Sequence, residues 1–340
     1  MKTKKKKIKS VTLKLGGRCN LKCKHCHNAI IDYEYNPDII KWIKESGYNK
    51  VSFSGGEPTM YLELIKKIMI QLGKEIDYHI VTNATIITDD LIDFFNEYKA
   101  SVVVSYDGES SERDFSYIPK YNEVKKFDRH GLTSVYYGQN ETLLQLQAEV
   151  DLFREKYWDD TTQASFYPNF VHQTQLSPNP QVTRETAIDY VMQYGQLIEL
   201  DFLRLKKIGN IKPLNVLKNA FNEWVRKKDV RGVACFNQNH VNLTISGDLL
   251  VCPYNPDTKV GDIYNDIKWD LIEEKYLPKR CHNCKIKDIC KCTCVENITT
   301  NECYIAKVLH KHTIKLMKKY RYTYEELEKL IDESQIAEGT

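Results

Sequence analysis

The chain has 340 residues, 28% of them charged and 42% hydrophobic, and a net charge of only +3. That balance excludes a nucleic-acid-like polycation and a disordered chain, and it is long enough to bury a sizeable core. No apolar run approaches the roughly 20 residues needed to span a bilayer, which excludes a transmembrane helix.

Residues 1–10 are a lysine-rich tail with no hydrophobic stretch behind it. This is not a signal peptide, so the chain is expected in the cytoplasm, with neither nucleic acid nor membrane as a partner. From there to about residue 200, strand and helix patterns alternate. Strands are predicted at 11–15, 50–54, 78–82, 101–105, 132–137 and 164–167, mostly rich in β-branched and aromatic residues between turn formers. Helices are predicted at 37–46, 61–72, 88–98, 142–157 and 184–200. Six βα units in series predict an α/β fold with a parallel sheet, either open or curled into a partial barrel.

After residue 200 the character changes. Residues 235–303 are loop-like and cysteine-dense, with one hairpin running from 241–245 through Ser246-Gly247-Asp248 into 249–252. Such a segment needs bound metal to hold its shape. Thr323 and Glu326 form a capping-box pattern ahead of a last helix. The expected boundaries are a basic tail at 1–10, a barrel-type domain at 11–215, a cysteine-rich domain at 216–305 and C-terminal helices at 306–340. His240, His282, His310 and His312 lack metal-ligand spacing, and the basic helix 307–321 reads as a solvated face.

In a reducing compartment, eleven cysteines point to metal or redox chemistry rather than disulfides. Cys19-x3-Cys23-x2-Cys26 follows the first strand, where Gly16 and Gly17 allow a sharp turn. Three soft thiolates suit an iron–sulfur cluster with one iron left open, or a zinc ion completed by His25 or His27. In parallel α/β folds, ligands bind at the C-terminal ends of the strands. There the sequence sets Gly55-Gly56-Glu57-Pro58 after the second strand, Thr82-Asn83 after the third and Ser105-Tyr106-Asp107-Gly108 after the fourth. Each has a plain structural reading, such as a Gly-Gly turn or Pro58 opening a helix. Glu57, beside two glycines, is the one suited to meeting a ligand ammonium. Tyr106 and Tyr167 are candidates for lining a substrate cavity.

In combination, the Cys-x3-Cys-x2-Cys loop, Gly-Gly-Glu-Pro and Ser-x-Asp-Gly resemble the radical S-adenosylmethionine (SAM) superfamily over residues 8–200. The resemblance implies a partial (β/α)6 TIM-like barrel and a catalytic 4Fe–4S cluster on Cys19, Cys23 and Cys26. SAM would chelate the open iron. Gly55, Gly56 and Glu57 would hold its amino group, Ser105 would lie near its methionine or ribose end, and Pro58, Thr82, Asn83 and Asp107 would complete the cofactor site. Cleavage of SAM would give a 5′-deoxyadenosyl radical that abstracts hydrogen from the substrate. His25 stands where relatives often carry Tyr or Phe. The partner of the SAM carboxylate stays open between Arg113 and Arg129.

The later order, Cys235-x11-Gly247-x4-Cys252, then Cys281-x2-Cys284-x5-Cys290-x3-Cys294, then Cys303, resembles the seven-cysteine SPASM extension of radical SAM peptide-modifying enzymes. It implies two auxiliary 4Fe–4S clusters, three clusters in all. One would use Cys281, Cys284, Cys290 and Cys303. The other would use Cys235, Cys252 and Cys294, with an open or exchangeable fourth position favoured. Cys292 would complete that position, donate a hydrogen atom or be inert.

The function so implied is a maturase of a ribosomally synthesised peptide, forming a thioether or carbon–carbon cross-link. Alternatives are an anaerobic sulfatase-maturating enzyme that forms formylglycine, a peptide epimerase and, from another class, a non-catalytic iron–sulfur electron carrier. Expected partners are the precursor peptide and an external low-potential electron donor of flavodoxin or ferredoxin type; since the barrel begins by residue 8, leader recognition is expected to use other surfaces or a separate leader-binding protein.

Overall fold

Alternating apolar residues at the start of the chain become four parallel strands, β1 (Ser10–Lys14), β2 (Lys50–Ser54), β3 (Asp77–Thr82) and β4 (Ser101–Ser105). The computed structural model describes residues 9–23, 25–26, 28, 31–108, 117–136, 142–159, 168–170, 183–211, 214–228, 231–290 and 300–337. Val11, Leu13, Val51, Phe53, Tyr78, Ile80, Val102 and Val104 on these strands are buried, each contributing about 1.5–3 kcal/mol. Helices α1 (Asp38–Glu45), α2 (Leu62–Leu72) and α3 (Asp89–Glu97) follow the first three strands, and the short α4 (Tyr121–Val124) comes after β4. Thr88 caps α3 by accepting the Leu91 N–H at 3.2 Å, and α2 stops at Gly73, whose φ of 92° suits glycine.

The described chain falls into two compact units. The first comprises residues up to Ser105 together with Glu112–Gly131 and Val230–Leu277. β5 (Arg129–Tyr136) and β6 (Pro168–Phe170) pair in parallel, whereas the strand expected at 164–167 lies outside the described residues. Next come α5 (Leu143–Trp158), α6 (Arg184–Ile208) and α7 (Asn215–Trp224), then the short strands β7 (Gly232–Val233) and β8 (Phe236–Asn237). The predicted hairpin is present as β9 (His240–Thr244) and β10 (Asp248–Leu250), with β11 (Lys259–Asp262) beside it.

The hairpin does more than the sequence reading foresaw. β9 pairs in parallel with β1 along its whole length, from Ser10↔His240 to Lys14↔Thr244. The order in the first unit is therefore β11-β10-β9-β1-β2-β3-β4, an open path in which β1 is central. Left at an edge, β1 would expose a row of unpaired backbone groups. The cysteine-rich segment supplies the missing neighbour.

On β3, burial pushes the His79 imidazole down to about 4, with Lys50 and Arg129 adding to the effect and Asp77 opposing it. The folded chain thus holds His79 neutral while the unfolded chain protonates it below about 6.5. Stability is expected to fall by roughly 3 kcal/mol as the pH drops from 6.5 towards 4. Urea midpoints across that window should show this loss in the native chain and a shallower one in His79→Asn.

The second unit comprises Tyr106–Ser111, Leu132–Asp229 and Pro278–Thr340. Beyond α8 (Trp269–Tyr276) of the first unit come the single-turn α9 (Lys279–His282) and α10 (Lys287–Cys290), then α11 (Asn301–Tyr320) and α12 (Tyr324–Ala337). α6 and α11 meet with Phe202 stacked on Tyr320, 5.4 Å between ring centres. His312 faces the carbonyl of Gly195 at 3.2 Å and His310 that of Trp224 at 2.6 Å, so both are structural. α7 has no cap of its own; Asp201 of α6, buried, accepts the Leu217 N–H at 3.0 Å instead. The Thr323–Glu326 capping box forms in both directions, at 2.8 and 3.2 Å. Among the described residues no helix is long and apolar enough to cross a membrane.

Candidate functional site

The loop that follows β1 carries Cys19, Cys23 and Cys26, and segments from the ends of β2 and β3 clasp it. The Gly56 N–H donates to the carbonyl of Gly16 at 3.1 Å and the Glu57 N–H to that of Arg18 at 2.8 Å. A Cβ on Gly56 would sit 2.2 Å from the Arg18 carbonyl oxygen and 2.5 Å from that of Gly17, so only glycine permits this approach. Tyr61, in the 3-10 turn Pro58–Tyr61, accepts the Arg18 N–H on its hydroxyl at 2.8 Å while its ring lies under the Arg18 guanidinium. Asn20 donates to Thr85 at 2.8 Å and accepts from Asn83 at 3.0 Å. Pro58 opens the 3-10 turn at its start, as its spacing predicted.

Glu57 is the hinge of this arrangement. It is 2% exposed. One carboxylate oxygen accepts the Thr59 N–H (3.0 Å), the Thr59 hydroxyl (2.6 Å) and the Thr82 hydroxyl (2.7 Å). The other accepts the Asn83 N–H at 2.8 Å. Burial pushes the carboxyl up, and the hydrogen bonds from Thr59, Asn83 and Thr82 oppose that. The side chain therefore ties the end of β2 to the end of β3 directly beneath the cysteine loop. Glu57→Gln would turn an amide NH2 towards N–H and O–H donors, and is expected to cost roughly 1–3 kcal/mol in a urea titration of the metal-free chain.

Burial pushes the Cys19 thiol up, the Leu21 N–H lowers it, and Glu57, Cys26 and Cys23 raise it further. Cys23 and Cys26 are thus close enough to Cys19 to act on its charge. Cys19 and Cys26 are exposed and Cys23 half-buried. Among the described residues, no three His, Cys, Asp or Glu side chains gather as they would around a single ion. The three thiolates make a soft, all-sulfur donor set of the kind that suits a cubane iron–sulfur cluster. His27 lies outside the described residues.

Ser105 ends β4 and is half-buried. Asp107, buried in the second unit, accepts the Val135 N–H at 2.8 Å. Tyr106 is buried against Phe153, 4.5 Å between ring centres. Arg129 is committed elsewhere: its guanidinium bonds to Asp77 at 2.9 Å and to the Lys99 carbonyl at 2.8 Å, at the N-terminal ends of the strands. Arg113 and Tyr167 lie outside the described residues.

In the second unit, Cys281, Cys284, Cys290 and Cys303 line one cavity of about 290 Å³, with Arg184, Arg280, Lys287 and Lys307 around it. These are the four cysteines that the resemblance to the SPASM extension implies as one ligand set. Glu302 lines it too, and four thiolates with four cations about this one carboxylate form a donor set suited to an anionic iron–sulfur cluster. In the first unit, Cys252 is buried and Cys235 half-buried. Asn242 organises their segment by donating to the carbonyls of Cys235 and Val251, each at 2.9 Å. Cys292 and Cys294 lie outside the described residues.

Sequence reasoning missed Thr59, Asn20 and Tyr61. The only available signal was their position inside or directly after the two motifs. It also missed Lys14, which an alternating strand pattern assigns to a polar face.

The family model of the Radical SAM superfamily matches residues 13–121. The chain is 32% identical over 90 residues to an S-adenosylmethionine-dependent nucleotide dehydratase of Thermoplasmatales archaeon (strain ISO4-H5), covering 25% of this chain and 33% of that protein. It spans 39% and 25% of the lengths of two further curated relatives, well under two thirds of either. Among solved structures, anSMEcpe with bound AdoMet shares the fold with a TM-score of 0.63 at 16% identity, over 92% of this chain and 99% of that one. Streptococcus suis SuiB bound to precursor peptide SuiA shares it with a TM-score of 0.52 at 18% identity, over 84% of this chain and 71% of that one.

Proposed function

We propose that the chain, whose residues 13–121 match the model of the Radical SAM superfamily, is a radical SAM/SPASM maturase that cross-links a ribosomally made peptide through a thioether or carbon–carbon bond. The observation that carries the reading is the clasp of the Cys19–Cys26 loop by Gly56, Glu57 and Asn83 at the C-terminal ends of parallel strands. Cys19, Cys23 and Cys26 would hold the 4Fe–4S cluster, and Gly55, Gly56, Glu57, Pro58, Thr82, Asn83 and Ser105 would form the SAM site. When bound, the reduced cluster would supply the electron that cleaves SAM, and the 5′-deoxyadenosyl radical so released would take a hydrogen atom from a peptide residue. The chain's own part is geometric. Glu57, with its oxygens taken by Thr59, Thr82 and Asn83, fixes the backbone of Gly55 and Gly56 for the SAM amino group.

Two auxiliary 4Fe–4S clusters complete the assignment, one on Cys281, Cys284, Cys290 and Cys303 and one on Cys235, Cys252 and Cys294. A peptide substrate is supported by the fold shared with SuiB, whose structure holds its precursor peptide SuiA. The low-potential electron donor, a separate leader-binding protein and a cytoplasmic setting belong to the same proposal. Anaerobic reconstitution with SAM and dithionite tests it. The expected result is 5′-deoxyadenosine, absent from the Cys19→Ala/Cys23→Ala/Cys26→Ala variant, together with a peptide lighter by two hydrogens. No 5′-deoxyadenosine would remove the enzyme reading, and a peptide of unchanged mass with an inverted residue would replace cross-linking by epimerisation.

A further inference from the structure

Lys14, the last residue of β1, is 2% exposed. Its ammonium donates to the Asn28 side-chain carbonyl and lies 5.1 Å from the centre of the Tyr254 ring. Asn28 stands two residues after Cys26, and Tyr254 two residues after Cys252. The strand pairing that sets β9 beside β1 brings these two segments to the same amine.

Among the described residues no carboxylate pairs with Lys14; the charges that act on it are the thiols of Cys26 and Cys252. Burial pushes the amine down to about 8, while Cys26 and Cys252 raise it. Holding an ammonium this deep without a carboxylate is costly, and a methionine of the same length would relieve the cost. A charge kept against that penalty, between two sets of cysteines, points to work on those cysteines.

We propose that Lys14 is a positioning charge between two cluster sites, held by Asn28 and Tyr254 so that its ammonium raises the reduction potential of the clusters bound through Cys26 and Cys252. The inference rests on the assignment of those cysteines made above. Cluster potentials follow local charge, hydrogen bonding to the sulfurs and solvent exposure, and a cation in a low-dielectric interior acts with little screening.

The test is a redox titration of the reconstituted holoenzyme followed by electron paramagnetic resonance, with each signal assigned by its loss in the matching Cys→Ala variants. Lys14→Met keeps the length and removes the charge; Lys14→Arg keeps the charge. In Lys14→Met, both midpoints are expected to fall until electron acceptance is about tenfold less favourable, ~59 mV for one electron. Lys14→Arg should stay near the native values. The cluster of the Cys281–Cys303 cavity, which Lys14 does not line, should not move. Unchanged midpoints in Lys14→Met, or an equal fall in Lys14→Arg, overturn the proposal. Mössbauer counting on the native chain separates this failure from failure of the underlying reading: no cluster lost on removing Cys252 overturns both.

Discussion

Gly56→Ala is expected to lower 5′-deoxyadenosine formation by about a hundredfold and to reduce iron bound at the first site, although only one methyl group is added. The new Cβ would stand 2.2 Å from the Arg18 carbonyl oxygen and 2.5 Å from that of Gly17. Both are backbone atoms that no rotamer change can move aside. The strain must go into the Gly56–Gly16 and Glu57–Arg18 hydrogen bonds, the two backbone ties that hold the cysteine loop against the end of β2. Neighbouring glycines give the controls. A Cβ on Gly55 meets the Gly16 carbonyl at 3.3 Å, so Gly55→Ala should be milder. A Cβ on Gly261 meets nothing within 4 Å, so Gly261→Ala should fall within about 0.5 kcal/mol of the native chain in stability, with native turnover. The ranking Gly56 above Gly55 above Gly261, read as 5′-deoxyadenosine per minute and iron per chain, checks the account. Equal effects at Gly55 and Gly56 would contradict it.

The strands β1 to β4 were legible because each is a short run of alternating or β-branched apolar residues closed by a turn, and their observed limits differ from the predicted ones by a residue at most. The clasp was only half legible. Motif spacing marked Glu57 and Asn83 as site residues, but not that the Glu57 carboxylate is wholly occupied by Thr59, Thr82 and Asn83. Hydrogen bonds between separate strand ends leave no periodic trace in a sequence. Lys14 shows the same limit more sharply. Local alternation in Val11-Thr12-Leu13-Lys14 makes it a polar-face residue, whereas β9, more than 200 positions away in the chain, arrives beside β1 and its loop buries it. Long-range pairing overrode the local pattern. For α6 the reverse held: a continuous apolar stripe carries the helix past the predicted end at 200 to Ile208, where Gly209, at φ 65°, stops it.

Replacing Cys281, Cys284, Cys290 and Cys303 together by serine is expected to remove roughly a third of the iron per chain and to loosen the segment that carries them. α9 and α10 have four residues each, far below the length at which a helix holds itself in water. Within residues 279–290 only Cys281 and Ile286, which lies between the two helices, are buried. Burial of so little apolar surface cannot offset the entropy of ordering residues 279–290, so bound metal must supply the difference. Arg184, Arg280, Lys287 and Lys307 crowd the same cavity, against the one carboxylate of Glu302; without an anionic cluster the excess positive charge opens it further. Amide exchange over 279–290 is therefore expected to accelerate about a thousandfold, ~4 kcal/mol, in the four-serine variant and equally in the chelated native chain. α11 should keep its protection near Leu309 and Leu316, since those residues pack into a core that does not depend on the cavity. A native chain that arrives with zinc instead of iron in this cavity, or whose exchange is indifferent to chelation, would show that packing alone orders the segment and that its four cysteines were misassigned.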